Sequence, residues 1–331
     1  MKFRNLASSN LKVSTLCLGT MMFGDQTDIQ EARSIIADAH AHNVNYIDTA
    51  DVYSKGASET MVGELIKPMR HDWILATKLG NKMSDRVNES HFSRTWMMRE
   101  IDASLKRLKT DYADILYLHL DINGMNLEEP LRALQAMLQA GKIRYWGVSN
   151  FRGWRIAEAV SIASQLGMPG PVVCQPYYNL LNRMPEVEVL PACAHFGIGV
   201  TPYSPIARGV LTGKYAPGQA PGADTRAGRG DKRIADTEFR EESLQIAQTL
   251  QAHVASQGVS LAQFATAWVL ANPRVSSVIA GPRTLKQWQD YLPALDYVVT
   301  AQDEALVDSL VRPGHPSTPG YTDPAYPLNG R

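Results

Sequence analysis

Four side chains that can exchange protons stand at or just beyond the ends of short apolar runs: Asp48, Tyr53, Lys78 and His119. A tyrosine hydroxyl, with a pKa near ~10, is poorly matched to proton transfer at neutral pH. A neighbouring ammonium group favours the phenolate and lowers that pKa, and a paired aspartate keeps a buried ammonium charged. A histidine can then orient or polarise a carbonyl oxygen. These residue types together predict general acid–base chemistry on a carbonyl group.

Each of these residues also has an ordinary structural interpretation when it is considered alone. An aspartate at a strand end often belongs to a turn, and a lysine there often extends its ammonium group into solvent. A histidine that ends an apolar strand is commonly a core residue. Four such side chains near equivalent ends of neighbouring strands are less easily explained separately, so we treat them as one candidate site.

Apolar runs alternate with segments of helical spacing along the chain, and eight of the runs read as buried strands. They begin near residues 16, 44, 73, 113, 143, 172, 198 and 276. Eight strands, each followed by a helix, predict a closed α/β barrel of the (β/α)8 (TIM) type, in which the C-terminal strand ends meet at one mouth. An open doubly wound sheet usually has a glycine-rich turn after its first strand. The nearest match, at 197–202, lacks the third glycine.

The other segments fit one domain that spans residues 1–331 without a linker. Two short runs about a polar turn at 7–10 predict an N-terminal β-hairpin over residues 2–14. Residues 204–239 contain six glycines and predict a long irregular loop. The tail after Arg312, rich in proline and glycine, predicts an extended packed segment.

The composition favours a soluble protein of the cytoplasm. The chain has 331 residues, 44% of them hydrophobic, and its 33 basic and 33 acidic residues give a formal net charge of zero. It contains no basic run and no apolar run long enough to span a bilayer, so we expect neither nucleic acid nor membrane as a partner. Three cysteines and the absence of an apolar signal fit a reducing compartment. The oligomeric state is left open.

Four segments resemble signatures of the aldo-keto reductase family, and the likeness covers nearly the whole chain. They are DTADVYSKGASE (48–59), SLKRLKTDYADILYLH (104–119), GVSNF (147–151) and YSPIARGVLTGKY (203–215). The resemblance implies a bacterial-type, NADPH-dependent carbonyl reductase whose hairpin closes the barrel bottom, with Asp48, Tyr53, Lys78 and His119 as its catalytic tetrad. Ser54, where many members have glycine, and Leu120–Asp121 depart from the family pattern.

The same resemblance implies how the cofactor is bound. Ser149, Asn150 and Gln175 correspond to ligands of the nicotinamide carboxamide, and their hydroxyl and amide groups both donate and accept hydrogen bonds. Tyr203 corresponds to the ring that stacks on the nicotinamide. The implied cofactor-binding residues are Gly19, Thr20, Met21, Asp48, Ser149, Asn150, Gln175, Tyr203, Ser204, Pro205, Ile206, Gly209, Leu211, Lys214, Gly281, Arg283, Gln287 and Asp290.

The phosphates of the cofactor are assigned to two segments. Glycines in 204–214 allow backbone N–H groups to approach the pyrophosphate. Arg283 corresponds to the ligand of the 2′-phosphate, with Gln287 and Asp290 nearer the adenine. A cation at that phosphate predicts that NADPH binds more tightly than NADH. A second group of basic residues is interpreted as a solvated loop: Arg226, Arg229, Lys232 and Arg233.

Two other functions are weighed against an oxidoreductase. His40 and His42 match the HxH of metal-dependent barrel hydrolases, but they lie inside the first predicted helix, so no metal site is predicted. A cofactor-sensing regulatory subunit with a reductase fold is the non-enzymatic alternative, which the intact tetrad disfavours. The main prediction is an oxidoreductase that acts on a small carbonyl or alcohol substrate. Neither that substrate nor the direction of reaction follows from the sequence.

Overall fold

The computed structural model describes residues 1–327 and contains a two-stranded hairpin and an eight-stranded parallel sheet. The hairpin strands are Phe3–Asn5 (β1) and Lys12–Ser14 (β2). The strands of the large sheet are Leu16–Gly19 (β3), Tyr46–Asp48 (β4), Ile74–Leu79 (β5), Ala113–Leu118 (β6), Ile143–Ser149 (β7), Val173–Gln175 (β8), Gly199–Val200 (β9) and Val278–Ala280 (β10).

The edges of the large sheet meet each other, so the sheet closes into a barrel. Its strands follow chain order from β3 to β9, and β10 pairs with β3 in parallel. Across the remaining gap, the Ser276 amide donates to Val200 O at 2.8 Å and the Ile279 amide to Pro202 O at 3.0 Å. Eight parallel strands joined in this way confirm the predicted (β/α)8 barrel.

Helices surround the barrel. They are Ile29–Ala41 (α1), Ala57–Ile66 (α2), Arg94–Leu108 (α3), Glu128–Gln139 (α4), Gly153–Gln165 (α5), Val189–Phe196 (α6), Lys232–Thr237 (α7), Glu241–Ala255 (α8), Leu261–Ala271 (α9), Leu285–Gln289 (α10) and Ala301–Leu310 (α11). The short helix α7 lies inside the segment that the sequence predicted to be irregular throughout.

Strand residues alternate between two cores because successive side chains point to opposite faces of a strand. In β6, Leu116 and Leu118 pack in the layer between sheet and helices, whereas Ile115 and Tyr117 fill the barrel interior. The hydroxyl of Tyr117 is 2.6 Å from that of Tyr46, so this buried polar pair is satisfied within the interior.

The hairpin closes the N-terminal end of the barrel. Leu6 and Val13 are fully buried and belong to the interior cluster. The Ser8 amide and hydroxyl both bond Gly197 O, which precedes β9, and Arg4 donates to the Val275 carbonyl. The position that the family resemblance implied for the hairpin is therefore the one observed.

The tail runs over the opposite side of the protein without regular secondary structure, as predicted, from Arg312 to Pro327. The Ser317 amide donates to Leu181 O at 2.8 Å, and Arg233 forms a bidentate ion pair with Asp323, one arm of which measures 2.6 Å. These contacts fix the tail against the segments that follow β8 and β9. None of the described helices is long and apolar enough to cross a bilayer.

Candidate active site

Polar side chains from five neighbouring strands meet around one cavity of about 370 Å³. Because the strands are parallel and in register, their C-terminal ends lie at the same level; Ser149, for example, pairs with Gln175. Four of the side chains line the cavity and the lysine lies directly behind it. These residues are Asp48 (β4), Lys78 (β5), His119 (directly after β6), Ser149 (β7) and Gln175 (β8).

Tyr53 reaches the strand ends through the loop between β4 and α2, where the backbone is strained. Ser54 and Lys55 have φ values of 48° and 54°, in the left-handed region. This conformation costs an L-residue about 1–2 kcal/mol, and glycine adopts it freely. It explains why glycine suits the position of Ser54 in many family members. The Ser54 hydroxyl donates to Phe23 O at 3.1 Å, which offsets part of the cost.

A buried ion network holds the same loop from behind. Gly56 has φ 89°, and a Cβ atom there would lie 2.7 Å from Cδ of Arg107. The Arg107 guanidinium donates to Glu59 Oε2 at 2.6 Å and also binds Glu100, and Glu59 in turn accepts from Thr77 of β5. The loop that carries Tyr53 is thereby tied to α2, α3 and β5.

Lys78 directs its ammonium group at three oxygen acceptors. The group donates to Asp48 Oδ1, to Thr49 O at 2.7 Å and to the Tyr53 hydroxyl at 3.3 Å. The second carboxylate oxygen of Asp48 accepts from Gln175 Nε2 at 2.9 Å. Lys78 is fully buried and Asp48 nearly so, and such a pair is tolerable only when its polar atoms are satisfied.

Burial sets the direction of the pKa shift for Asp48 and Tyr53, whereas neighbouring charges set it for Lys78. Desolvation alone would lower the pKa of Lys78, but Asp48 and Tyr53 outweigh it and the net pKa is raised, so the lysine stays charged. Burial raises the pKa of Asp48 against the opposing effect of Lys78. Burial likewise raises the pKa of Tyr53, although Lys78 lowers it. The effect of Lys78 could be expected from the sequence, but burial exceeds it, so Tyr53 is protonated at neutral pH.

His119 is neutral in this environment. Burial and the nearby charge of Lys78 lower its pKa well below the usual range. Its Nδ1 is buried and has no hydrogen-bond partner within residues 1–327. An Nδ1 without an acceptor favours the tautomer that carries its proton on Nε2. The ring lies edge-on to Tyr53, with centroids 5.8 Å apart, so one neutral donor and one phenol lie side by side at the cavity.

A chain of hydrogen bonds crosses the cavity floor from Tyr203 to the tetrad. The Tyr203 hydroxyl donates to Asn150 Oδ1 at 2.8 Å, and Asn150 Nδ2 donates to Ser149 Oγ and to His119 O, each at 3.1 Å. Ser149 Oγ donates to Gln175 O at 2.9 Å. The Oε1 of Gln175 accepts no hydrogen bond among the described residues. Gln175 Oε1 is therefore available to accept a hydrogen bond from the amide group of a ligand.

Three cations mark the other end of the cavity: Lys214, Arg229 and Arg283. None of them forms an ion pair within residues 1–327. Gln26 Oε1 accepts from Arg229 at 2.9 Å and from Arg283 at 3.3 Å, which brings these two guanidinium groups together. Burial and the charge of Arg283 lower the pKa of Lys214. Such a concentration of positive charge favours a ligand that carries phosphate groups.

Comparisons with known proteins agree with this geometry. The family model described as "Aldo/keto reductase family" matches residues 15–312. This chain belongs to the aldo/keto reductase family. A probable voltage-gated potassium channel subunit beta of Arabidopsis thaliana is 38% identical over 90% of this chain and 92% of its own, and the rice protein of that name is 37% identical over 93% and 97%. An uncharacterized oxidoreductase, YrpG, of Bacillus subtilis is 32% identical over 98% of this chain and 99% of its own.

Membership of this family supports an oxidoreductase, and the residues implied for its cofactor nearly all line the cavity. The exception is Leu211, which is fully buried in the core instead. The residues implied for the carboxamide already bond one another, a point that their sequence positions did not reveal. Asp121 of the divergent Leu120–Asp121 pair does not line the cavity but binds Arg155 at 3.0 Å, so it anchors the loop after β6.

The solvated-loop interpretation of the basic segment does not hold for Arg226 and Arg233, which are partly buried, line the cavity and form ion pairs. Arg229 is exposed but also lines the cavity, and Lys232 extends outward beside Asp236. A basic cluster inside a glycine-rich loop was the sequence signal for this. Other lining residues escaped prediction because nothing local marks them; they include Gln26, Arg208, Thr212, Ala262, Ile279, Tyr291 and Tyr326.

The two histidines of the metal-hydrolase alternative do not line the cavity. His40 lies on α1 and His42 directly follows it; they pair with Asp72 and Asp38 at 3.0 Å and 3.2 Å. No group of three or more potential ligands in residues 1–327 could hold a metal ion. Nothing in the described residues therefore supports the hydrolase alternative.

Proposed function

We propose that this aldo/keto reductase family member interconverts aldehydes or ketones and alcohols with NADPH as its preferred cofactor. The observation that carries the proposal is the Tyr53 hydroxyl, held 3.3 Å from the ammonium of a fully buried Lys78 whose charge Asp48 maintains. A small carbonyl or alcohol is the substrate class that this acid–base pair serves. The absence of a bilayer-spanning helix among the described residues is compatible with a cytoplasmic location.

The donor set of the cavity fits a nicotinamide dinucleotide phosphate. At the barrel end, Gln175 Oε1 can accept from a carboxamide, and the Tyr203 ring offers an aromatic face. At the other end, Lys214, Arg229 and Arg283 can bind the phosphates, and a guanidinium can do so with two parallel bonds. When bound there, NADPH supplies the hydride for reduction.

The residues of the chain supply the proton and the orientation. A carbonyl oxygen placed between Tyr53 and His119 would receive hydrogen bonds from the phenol and from Nε2–H of the neutral imidazole. Tyr53, which is protonated at neutral pH, donates its proton as the alkoxide develops. The ammonium of Lys78 then stabilises the phenolate, and Asp48 keeps that ammonium charged. In the direction of alcohol oxidation, the same phenolate acts as the base.

Replacing the phenol tests the proposal directly. Tyr53→Phe removes the proton donor and keeps the ring, so turnover of a carbonyl panel with NADPH should fall by a factor of about 10²–10⁴. NADPH affinity, measured by fluorescence titration, should stay nearly constant. Tyr112→Phe is the matched control because Tyr112 does not line the cavity and packs between Arg70 and Arg144. Near-normal turnover by Tyr53→Phe would show that Tyr53 is not the proton donor.

A second candidate is a cofactor-sensing regulatory subunit. The observation that favours it is the likeness to two proteins whose names describe probable potassium channel beta subunits, at 38% and 37% identity. The two candidates differ in a simple assay. A catalyst consumes NADPH over many turnovers with at least one carbonyl of the panel. A regulatory subunit of this kind binds NADPH tightly and shows no turnover beyond a single stoichiometric equivalent.

A further inference from the structure

Three arginines that line the cavity are Arg208, Arg226 and Arg233, and carboxylates neutralise two of them. Arg226 Nε donates to Asp231 at 2.9 Å, and Arg233 holds Asp323 with two bonds. The third, Arg208, forms no ion pair within residues 1–327. Three guanidinium groups against two carboxylates leave this wall with one unbalanced positive charge.

Glu238, in the same segment, does not cancel that charge. Glu238 is buried, and neither of its carboxyl oxygens has a hydrogen-bond partner within the described part of the chain. Burial raises its pKa to about 8, despite the opposing charge of Arg240. Its carboxyl group is therefore mainly neutral at pH 7. Burial lowers the pKa of Arg208; Asp323 and Asp231 act in the opposite direction, but each of these carboxylates is paired with another arginine.

Arg208 is fixed in place with its terminal nitrogens free. Its Nε donates to Thr237 Oγ1 at 3.1 Å, and its guanidinium carbon lies 5.6 Å from the centroid of the Tyr177 ring. Ala207 and Arg208 both have left-handed backbones, with φ values of 49° and 52°, and strain of this kind is found most often where a side chain is aimed for a function. Neither Nη nitrogen has an acceptor among residues 1–327, and Arg208 lines the cavity.

The surroundings of Arg208 place it at the acid–base end of the cavity. Tyr203 and Tyr326 are both buried tyrosines on this wall, and the charge of Arg208 opposes the rise that burial causes in each of their pKa values. The Tyr177 ring beside Arg208 lies 5.5 Å from the Tyr203 ring. The Tyr203 hydroxyl bonds Asn150, which in turn bonds His119 O, so Arg208 is linked by contacts to the acid–base residues.

The cations at the other end of the cavity differ from Arg208 in their contacts. Arg229 and Arg283 share Gln26 as an acceptor. The Arg208 guanidinium instead packs against Tyr177, beside the Tyr203 ring. Lys214, Arg229 and Arg283 are thus available for cofactor phosphates, whereas Arg208 lies on the side of the cavity where the tyrosines are found.

We propose that Arg208 binds a carboxylate on the substrate, so that the protein acts on carbonyl compounds that carry an acidic group. The inference rests on the proposed reductase function and names its substrate class. A guanidinium with two free Nη groups presents the planar pair of donors that a carboxylate accepts. Where the C-terminal tail borders the cavity, Tyr326 and the Arg233–Asp323 pair would enclose the aliphatic or aromatic part of such a substrate.

A matched pair of substrates isolates the carboxylate. Reduction of 4-carboxybenzaldehyde and of methyl 4-formylbenzoate, its neutral ester, is followed with saturating NADPH in wild type, Arg208→Gln and Arg208→Lys. Wild type should prefer the acid by at least about tenfold in kcat/KM, the size expected for a charge-assisted pair. Arg208→Gln should lose that preference through KM, with little change for the ester, and Arg208→Lys should keep part of it.

Two further measurements separate this proposal from its rivals. Arg229→Gln removes a cation at the other end of the cavity, so it should weaken NADPH binding and leave the acid-to-ester ratio unchanged. Benzoate titration of the NADPH-loaded protein, by intrinsic fluorescence, should show at least tenfold weaker binding in Arg208→Gln. This titration decides the role of Arg208 even if neither aldehyde is reduced, in which case the reductase function alone fails.

Other results would overturn the proposal. A wild type with no preference for the acid and no benzoate binding contradicts it. So does an Arg208→Gln variant whose NADPH dissociation constant rises tenfold or more while its acid-to-ester ratio stays that of wild type, because Arg208 would then be a ligand of the cofactor phosphates.

Discussion

At the barrel end of the cavity, the ammonium of Lys78 is fully buried and paired with Asp48, whereas at the far end Lys214, Arg229 and Arg283 have no carboxylate partner within residues 1–327. The first pair lies on adjacent strands, and its atoms are fixed by the register of the sheet. The second group lies on loops and is held through Gln26 and backbone carbonyls. A charge that must act in the chemical step is balanced within the protein. A charge that binds a ligand is left for that ligand to balance.

The largest expected effect comes from removing the cation of the barrel end. Lys78→Met should reduce turnover by a factor of about 10²–10⁴ and should lower the free energy of unfolding by roughly 3–5 kcal/mol at pH 7, because Asp48 loses its buried partner. Steady-state kinetics and urea denaturation measure the two effects.

The same variant predicts a pH dependence with a defined sign. Without Lys78, the pKa of Asp48, which burial already raises, should rise further above its unfolded value. The folded state then binds the extra proton, so stability is lost as pH rises. The deficit of Lys78→Met should be smaller at pH 5 than at pH 8. Asp48→Asn added to Lys78→Met should restore stability without restoring activity; a double variant as unstable as the single one would contradict this account.

A smaller and different effect is expected at the far end. Arg283→Ala should weaken NADPH about tenfold or more, since a charge-assisted hydrogen bond contributes roughly 1.5–3 kcal/mol. NADH, which lacks the 2′-phosphate, should bind almost as before, and stability should not fall because the Arg283 side chain bonds Gln26 alone among the described residues. Lys286→Ala is the control, an exposed cation of helix α10, which begins two residues after Arg283. An unchanged ratio of the two dissociation constants would exclude Arg283 as the selecting residue.

The smallest effect concerns the order of the loop that carries these cations. Hydrogen exchange of residues 206–232 should slow several-fold with saturating NADPH, because phosphates provide acceptors that the loop otherwise lacks. Gln26→Ala should accelerate exchange of this loop without cofactor, since Arg229 loses its contact. Helix α3 serves as the internal reference. Equal protection of the loop with and without NADPH would contradict the contrast drawn between the two ends.

The sequence predicted the barrel end better than the far end, for a physical reason. Each tetrad residue stands at or near a strand end, and the C-terminal ends of parallel strands must converge, so Asp48, Lys78 and His119 could be placed together before the fold was known. The strand bounds themselves differed by one or two residues, as in Gly199–Val200 against a predicted run of 198–201.

What could not be predicted depends on contacts between distant segments. Gln26 meets Arg229 across 203 residues, and Arg233 meets Asp323 across 90. Only Arg233 lies on a helix, the short α7, and no local pattern marks either pair because its two partners are far apart in the chain. The net pKa of Tyr53 also escaped prediction, because its direction depends on the degree of burial as well as on Lys78.

The hairpin plug has a kinetic consequence. With Leu6 and Val13 sealing the N-terminal end of the barrel, the cavity can exchange ligands only through its opposite mouth. A molecule that occupies the floor near Gln175 must then enter before one that lies nearer the mouth, and must leave after it. Product-inhibition patterns should accordingly follow a compulsory order, first in and last out, whatever the chemical nature of the substrate.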